Sequence, residues 1–244
     1  MRFFKTSPHD CSYLADRQAS TIFLDPAVEV PLELYEKLNL IGFRRSGGHF
    51  YRPDCAQCRK CQSIRVLTRE FEPRRRHRRI RRKARHLRWQ AVPVHYEERY
   101  WQLYERYIEQ RHPGGDMYPP SQEDFYRFLL QQTQYGFLLE AWEDSQLVLI
   151  AVIDQFSTGL SAVYTFYDPD FARYSPGTLS ILRQIEICQE LGLPYLYLGY
   201  WIDSVPNMNY KADFKPVEVY RNELWQPLVE QVVAEREDTV IAGG

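Results

Sequence analysis

The chain has 244 residues, of which 44% are hydrophobic, so it can bury one substantial core or two small ones, and its composition excludes a disordered protein. Five cysteines, an odd number, do not fit the disulfide framework of a small secreted domain. The first residues lack the apolar run of a signal peptide, and no stretch approaches the roughly 18 apolar residues of a membrane span. We therefore expect a globular protein of the reducing cytoplasm, without membrane contact.

The first predicted elements are a helix and a cysteine knuckle. VPLELYEKLNLIGF indicates a helix that ends near Gly42. In the following stretch, FYRPDCAQCRKCQSIRV, Cys55, Cys58 and Cys61 are spaced by three. With Cys11 as the fourth ligand, these thiolates predict a structural zinc ion or iron-sulfur cluster. Small buried thiols are the alternative, and a redox role is a weaker one.

A dense basic block follows the knuckle. The segment from residue 74 to 88 contains ten Lys or Arg residues and no acid, while the remaining 21 basic and 32 acidic residues give the rest of the chain a formal charge of −11. A helix beginning after Pro73 would place Ile80, Ala84 and Leu87 on an apolar stripe. Mutual repulsion argues against a merely solvated helix, so we predict that the block binds a polyanion such as a nucleic acid. The basic side chains are those of Arg74, Arg75, Arg76, Arg78, Arg79, Arg81, Arg82, Lys83, Arg85 and Arg88.

The rest of the chain predicts the order α-α-β-β-β-α-β. Helices are indicated by residues 95–112 and, with Ser121 as N-cap, by residues 121–132. Three β-rich runs follow, then an amphipathic helix from Pro176 and the short strand LPYLYLGYW. This order resembles the core of the GNAT fold. We therefore predict an α+β protein with an N-terminal subdomain at 1–90, which carries the cysteine knuckle and basic helix, and a GNAT-like acyltransferase core at 91–244.

The expected phosphate-binding loop of a GNAT acetyltransferase does not match. Such enzymes bind the pyrophosphate of acetyl-CoA with a glycine-containing loop at a helix N-terminus. Here the equivalent segment is residues 173–178, in which Pro176 and Thr178 stand where glycines are expected. The sequence therefore disfavours acetyl-CoA as the acyl donor.

Several motifs in the same order carry a closer resemblance. CSYL, GFRRSG, YRPDCAQCRKCQSIRV, RRRHRRIRRKAR, LSAVYTFYDPD, PYLYLGYWI and YKADFKP resemble the bacterial aspartate/glutamate leucyltransferases, relatives of the eukaryotic arginyl-tRNA-protein transferases. The resemblance covers about residues 11–216 and implies transfer of leucine from Leu-tRNA to proteins that begin with Asp or Glu, which marks them for the N-degron pathway. It also implies that the basic block binds the tRNA backbone. It departs at Val205 and Asn207, where the family commonly has cysteine and lysine.

An aminoacyl ester is already activated, so transfer needs positioning, a neutral amine and oxyanion stabilisation, with no catalytic cofactor. We expect Asp168 or a water to take the amine proton, although an Asp-Pro pair is also ordinary in turns. A tyrosine hydroxyl or a strand amide would meet the oxyanion. The candidate cleft residues are Tyr164, Tyr167, Asp168, Gly199, Tyr200 and Trp201.

An acidic N-terminus needs a cationic receptor. Arg44 and Arg45, followed by Ser46, are the first candidates, with Arg65 and Lys211 behind them, because a guanidinium can hold a carboxylate with two hydrogen bonds. The same arginines could instead bind phosphates of the tRNA acceptor stem.

Three other functions stay open at this point. Arginine from Arg-tRNA could be the donated amino acid in place of leucine. A CoA-dependent acetyltransferase would explain the GNAT-like half of the chain, and a non-catalytic nucleic-acid-binding module would explain only the basic block.

Overall fold

The computed structural model describes residues 1–229, which form a mixed fold of helices and strands. The strands are β1 Phe3–Lys5, β2 His9–Asp10, β3 Gln18–Ala19, β4 Thr21–Leu24, β5 Arg44–Ser46, β6 His49–Pro53, β7 Gln62–Leu67, β8 Arg88–Pro93, β9 Gly136–Glu143, β10 Gln146–Gln155, β11 Gly159–Tyr167, β12 Tyr195–Trp201, β13 Val217–Arg221 and β14 Leu224–Pro227. The α-helices are α1 Leu32–Leu40, α2 Arg75–Lys83, α3 Glu98–Arg111, α4 Gln122–Phe125, α5 Pro176–Glu190 and α6 Pro206–Asn209. None of the helices in this part of the chain is both long and apolar enough to cross a bilayer.

An eight-stranded sheet forms the centre of the molecule, in the order β14-β13-β7-β12-β11-β10-β9-β8. The antiparallel meander β9-β10-β11 and the succession α3-α4-β9-β10-β11-α5-β12 confirm the predicted order of elements. Strands β11 and β12 are the parallel pair, connected through α5. A parallel pair needs such a crossover, so α5 must lie against the sheet.

Both faces of the central sheet are covered. Along β10, Leu149, Ala151 and Ile153 pack with residues of α5, whereas Ile150 and Val152 pack with residues of α3. Successive side chains of a strand point to opposite faces, so a strand covered on both sides must be apolar throughout. Burial on both faces therefore explains why the apolar residues of β10 form a continuous run.

A smaller sheet, β1-β4-β6-β5, packs with α1 beside the central one. Tyr35 of α1, Phe50 of β6 and Tyr197 of β12 belong to the core that the two sheets share. Strand β7 also comes from the N-terminal half, yet it lies between β12 and β13 of the central sheet. The central sheet therefore draws on both sides of residue 90, and the division into folding units at that point stays a prediction.

The basic block forms a helix over part of its length. Helix α2 ends at Lys83, and its predicted apolar stripe is confirmed, because Ala84 and Leu87 are buried and Ile80 packs against the same core. Arg88 does not continue the helix, since it begins β8 and pairs with Trp142 of β9.

Candidate active site

A cleft opens where β11 and β12 separate. The two strands pair only from Gly159 to Ser161, opposite Tyr195 to Tyr197, and diverge beyond that point. The cleft has a volume of about 870 Å³. Its walls come from α3, β11, the N-terminus of α5, β12 and the segment after β12, and include Tyr107, Arg111, His112, Ala162, Val163, Tyr164, Tyr167, Pro176, Gly177, Thr178, Ile181, Leu198, Asn207, Tyr210 and Lys211.

Two cations meet at the apex of this cleft, the point at which β11 and β12 diverge: Lys211 is part of the wall, and Arg44, which is not, contacts the wall residue Ala162. Arg44 Nη2 donates a hydrogen bond of 3.1 Å to the Ala162 carbonyl, and Lys211 Nζ donates one of 2.6 Å to the Tyr200 carbonyl. Both side chains lie beside Gly199, where a Cβ atom would be 3.6 Å from Arg44 Nη2 and 3.8 Å from Lys211 Nζ. Gly199 has φ +83°, a conformation that favours glycine, and the register of β12 against β7 is interrupted there. We call Arg44 and Lys211 the apex pair.

The apex pair has no carboxylate partner within residues 1–229. Arg44 is 7% exposed and bonds only neutral oxygens, those of Ala162 and, at 3.4 Å, Asn39. Burial, and next the positive charge of Arg44, lower the pKa of Lys211 to about 8. Buried charges are normally paired, so two adjacent unneutralised cations form a site that an anion would stabilise.

Arg45, the other predicted reader in GFRRSG, is already neutralised. Its Nε and Nη2 donate to the two carboxylate oxygens of Asp154 at 2.9 and 2.7 Å, and its Nη1 donates to the Gly47 carbonyl. Tyr35 donates to the same carboxylate at 2.7 Å. Arg45 therefore holds β5 against β10, and neither Arg45 nor Ser46 lines the cleft.

Arg65 is likewise committed to the structure. Its Nε lies 2.8 Å from Glu218 Oε2, and its guanidinium lies between the rings of Tyr195 and Trp225, at 3.6 and 4.2 Å from their centroids. The contact with Glu218 neutralises its charge. Arg65 does not line the cleft either.

Two predicted tyrosines do line the cleft. The buried hydroxyl of Tyr164 has no hydrogen-bond partner in the part of the chain described, and burial, followed by the nearby Tyr107, raises its pKa. The ring of Tyr167 packs edge-on against the ring of Tyr107, with the two centroids 4.8 Å apart. A phenol that stays protonated and unbonded can donate a hydrogen bond to an incoming oxygen.

Asp168 has a capping role instead. Its Oδ2 accepts hydrogen bonds of 2.9 Å from Arg106 and Gln146, and its Oδ1 accepts one from the Asp170 amide at the start of a short 3-10 helix. Asp168 is 4% exposed and does not line the cleft. The structure therefore gives Asp168 the turn chemistry of an Asp-Pro pair and places it outside the cleft wall.

The three predicted residues of β12, Gly199, Tyr200 and Trp201, lie in different surroundings. Gly199 lies at the apex, as described above. The hydroxyl of Tyr200 points away from the cleft, to the carbonyls of Gly42 and Tyr51 at 3.0 and 3.1 Å. Trp201 lines a different pocket together with Arg59, Lys60 and Arg74, and none of the three β12 residues lines the cleft itself.

Sequence reasoning missed three groups in the cleft wall. Tyr107 lies on α3, Arg111 ends that helix and His112 follows it, and none of the three was a predicted site residue. His112 Nε2 lies 3.1 Å from the Tyr107 hydroxyl. The residues at the end of α3 change from apolar to cationic, and this change could have indicated a binding site. The sequence does not show which other element lies opposite that end of the helix.

Helix α2 presents most of its charge without local neutralisation. Within residues 1–229, Arg76 pairs with Asp213 and Arg81 with Glu186, and the other eight basic residues of the block have no carboxylate partner. His77 is buried against Phe214, and burial, with the charges of Arg76 and Arg74, lowers its pKa to about 4. The helix is thus anchored by a neutral histidine and exposes arginines, five of which line one groove: Arg75, Arg76, Arg78, Arg79 and Arg82.

The four predicted cysteine ligands occupy one neighbourhood. Burial and the adjacent Cys55, Cys11 and Cys58 thiols raise the pKa of Cys61 to about 12. Cys188 is remote, on α5, with its sulfur 3.5 Å from the Tyr195 carbonyl. Among residues 1–229, however, no three Cys, His, Asp or Glu side chains are arranged to hold one metal ion.

Comparisons with known proteins cover nearly the whole chain. Residues 9–79 match the N-terminal family model of arginine-tRNA-protein transferases, and residues 99–221 match the C-terminal one. The chain is 46% identical to the aspartate/glutamate leucyltransferase of Marinobacter nauticus, over 93% of this chain and 95% of that protein. It is 47% identical to that of Alcanivorax borkumensis, over 93% of each, and 46% identical to that of Chromohalobacter salexigens, over 94% and 95%.

A solved structure also shows similarity. The C-terminal domain of a putative lysylphosphatidylglycerol synthetase from Agrobacterium fabrum matches with a TM-score of 0.49 and 15% identity, over 68% of this chain and 58% of that one. The family resemblance predicted from the sequence motifs is confirmed by the family models and the relatives. The chain belongs to the arginine-tRNA-protein transferase family.

Proposed function

We propose that the protein transfers leucine from Leu-tRNA to the N-terminal amine of proteins that begin with Asp or Glu, which directs them to the N-degron pathway in the cytoplasm. The names of the relatives support this assignment. The single structural observation that carries it is the apex pair: Arg44 and Lys211 lie together without a carboxylate among the described residues, with Lys211 in the cleft wall and Arg44 bonded to the wall residue Ala162.

The apex pair would read the acidic side chain. An Asp or Glu carboxylate placed between Arg44 and Lys211 would neutralise both, and charge-assisted hydrogen bonds are about twice as strong as neutral ones. The contrast with Arg45 and Arg65 is informative, because each of those holds a carboxylate of this chain already. Of the four cationic candidates Arg44, Arg45, Arg65 and Lys211, the two of the apex pair have no carboxylate partner among residues 1–229 and would keep their charge for a substrate.

The reaction requires little from side chains. The peptide nitrogen bonds to the leucyl carbonyl carbon, the ester bond to the terminal ribose breaks, and the amine gives up one proton. Tyr164 supports this step, because its unpartnered hydroxyl in the cleft wall can donate to the developing oxyanion. We assign Asp168 no part in the step, since its carboxylate is used for capping.

The cleft favours an uncharged donor side chain. Its walls, within residues 1–229, include no Asp or Glu, but do include Arg111 and Lys211 and the apolar Val163, Ile181 and Leu198. A donated arginine would meet like charges without a carboxylate to bind it. Leucine would meet apolar surface.

The arginines of α2 would bind the tRNA backbone. Their exposed charges would displace counterions from its phosphates, and the release of these ions favours binding. We also propose that the core is GNAT-like, on the support of the splayed β11 and β12 and the crossover helix between them. Acetyl-CoA is disfavoured as donor because Pro176, the first residue of α5, has no N–H to offer a pyrophosphate.

A structural zinc ion or iron-sulfur cluster at Cys11, Cys55, Cys58 and Cys61 remains part of the proposal. The mutual proximity of the thiols supports it. Such a centre would tie the N-terminal segment to the knuckle, and no catalytic step depends on it.

Donor identity tests the proposed function. Radiolabelled Leu-tRNA, Arg-tRNA and acetyl-CoA are each incubated with the protein and with peptides that begin with Asp or Glu. We expect label from Leu-tRNA alone to enter the peptide. Transfer from Arg-tRNA or acetyl-CoA in its place would refute the assignment of the donor.

A further inference from the structure

None of the site residues assigned so far accepts the proton that the attacking amine loses. Of the charged groups in the cleft wall, Arg111 is always a cation, and the Nζ of Lys211 is committed to the Tyr200 carbonyl beside Arg44. Asp168 is engaged by Arg106 and Gln146 outside the cleft. Cleft tyrosines such as Tyr164 have raised pKa values and stay protonated.

His112 is the exception. It follows the last residue of α3, where its amide donates to the Ile108 carbonyl, and its imidazole belongs to the cleft wall. The Nε2 atom lies 3.1 Å from the hydroxyl of Tyr107, which lines the same cleft. The ring of Tyr107 in turn packs edge-on against Tyr167 of β11. The pair is therefore fixed by α3 and β11, the elements that form one side of the cleft.

We infer that Tyr107 and His112 form the proton path of the transfer reaction, an assignment that rests on the proposed function. The amine proton passes to the Tyr107 oxygen while the Tyr107 proton passes to His112 Nε2. When the ester bond breaks, the same route in reverse delivers one proton to the departing ribose oxygen. The N–C bond forms, the C–O bond breaks, and the pair ends as it began. Tyr107 touches the reacting amine, and His112 acts through it.

The electrostatic surroundings keep the imidazole neutral. The protein atoms around the ring and, next, the positive charge of Arg111 lower the pKa of His112 below the ordinary 6.5. The titratable groups that face the pair are Arg111 and Tyr104 from α3, Tyr164 and Tyr167 from β11, and Tyr210 from the segment after β12. The charge effects on Tyr107 come from Tyr167, Arg111, Tyr210 and Tyr104. A neutral imidazole near pH 7 can accept a proton.

The pH dependence of single-turnover leucyl transfer tests this pair, with the enzyme saturated by Leu-tRNA and an Asp peptide kept below its KM. The peptide amine, with a pKa of about 8, gives log rate a slope of one on the acid side. In the wild type the slope rises to two below the pKa of His112. In His112→Gln it stays at one and the rate falls roughly 100- to 10,000-fold, the usual contribution of acid-base catalysis. Tyr107→Phe should fall similarly, and the matched control His95→Gln, outside the cleft, should match the wild type.

Two results would overturn the inference. One is a His112→Gln enzyme within about twofold of the wild-type rate with an unchanged pH profile. The other is a His112→Gln enzyme that loses only affinity for Leu-tRNA, which would place His112 in donor binding. A wild type that transfers no leucine would instead refute the proposed function, so the two failures are distinguishable.

Discussion

The guanidinium of Arg44 and the ammonium of Lys211 converge on Gly199 from different parts of the chain, 167 positions apart. Arg44 comes from β5 of the small sheet, and Lys211 comes from the segment after β12. Lys211 bonds the Tyr200 carbonyl of β12, and Arg44 bonds the Ala162 carbonyl of β11. Burial, and next the positive charge of Arg44, lower the pKa of Lys211. The proposed function depends on the binding of an anion by these two adjacent cations.

The first prediction concerns the two members of the apex pair separately. Arg44→Gln and Lys211→Gln should each raise the KM for an Asp peptide, and lower kcat/KM roughly 10- to 1000-fold, because the substrate carboxylate then lacks a charge-assisted hydrogen bond. Leu-tRNA affinity should stay within about twofold of the wild type. Arg99→Gln, an exposed arginine outside the cleft, is the control. Weakened tRNA affinity with an intact preference for Asp over Asn would assign the pair to the acceptor stem.

The second prediction uses the pKa of about 8 at Lys211. A lowered lysine pKa means that the cation is present below pH 8 and is lost as the pH rises through that value. The KM for an Asp peptide should therefore increase above pH 8, while the KM for an Asn peptide should not. Lys211→Arg should abolish this increase, because a guanidinium stays charged. The same increase in Lys211→Arg would show that another group titrates.

The third prediction concerns Arg45, which we expect to stabilise the fold and not to bind substrate. Asp154→Ala leaves Arg45 as an unpaired buried charge and removes the acceptor of Tyr35, so it should lower the free energy of unfolding by about 3–5 kcal/mol. Asp203→Ala, which breaks an exposed pair with Lys60, should cost at most about 1 kcal/mol. Urea denaturation followed by fluorescence measures both. Equal costs would mean that the Arg45 ion pair contributes little to folding.

The fourth prediction concerns tRNA binding by α2. Replacing Arg75, Arg78, Arg79 and Arg82 with glutamine should weaken tRNA binding and reduce the slope of log K against log salt by about 0.9 for each phosphate that the helix no longer neutralises. A control of equal charge replaces Arg17, Arg69, Arg99 and Arg127, which are exposed elsewhere. An unchanged slope in the α2 variant would remove this helix from the tRNA interface.

The fifth prediction concerns the cysteines. Protein purified without oxygen should contain close to one zinc ion or one iron-sulfur cluster for each chain, and Cys58→Ser should lose it while Cys188→Ser retains it, since Cys188 lies apart from the other thiols. Elemental analysis and the visible spectrum measure the two alternatives. Neither metal in the wild type would leave the four thiols as packing residues.

The helices and strands of the core were largely predictable, because the spacing of apolar residues along the sequence indicates which side chains are buried. Helix α3 and strand β10 illustrate this, one with a single buried face and the other buried on both. Strands β7 and β8 were missed, since their partners in the sheet are distant in sequence. Strand pairing of that kind depends on the tertiary fold rather than on a local pattern.

The site was predictable only in part. The sequence identified RR at positions 44 and 45 but could not distinguish them, because alternate residues of a strand point to opposite sides and the partners lie more than 100 positions away. The structure places Arg45 on Asp154 and Arg44 at the cleft. His112 was missed because the apolar pattern of α3 ends at Ile108 and gives no information about what lies beyond the helix terminus.

The most direct test of acidic N-terminus reading compares two peptides that differ only in Asp or Asn at the first position. Leucyl transfer is measured with the wild type and with Arg44→Gln/Lys211→Gln, at saturating Leu-tRNA. We expect the wild type to prefer Asp by roughly 100-fold in kcat/KM, and the double variant to treat the two peptides alike, because the carboxylate then has no cationic partners. A double variant that still prefers Asp by the wild-type ratio would contradict the assignment of Arg44 and Lys211 as the acid-reading site.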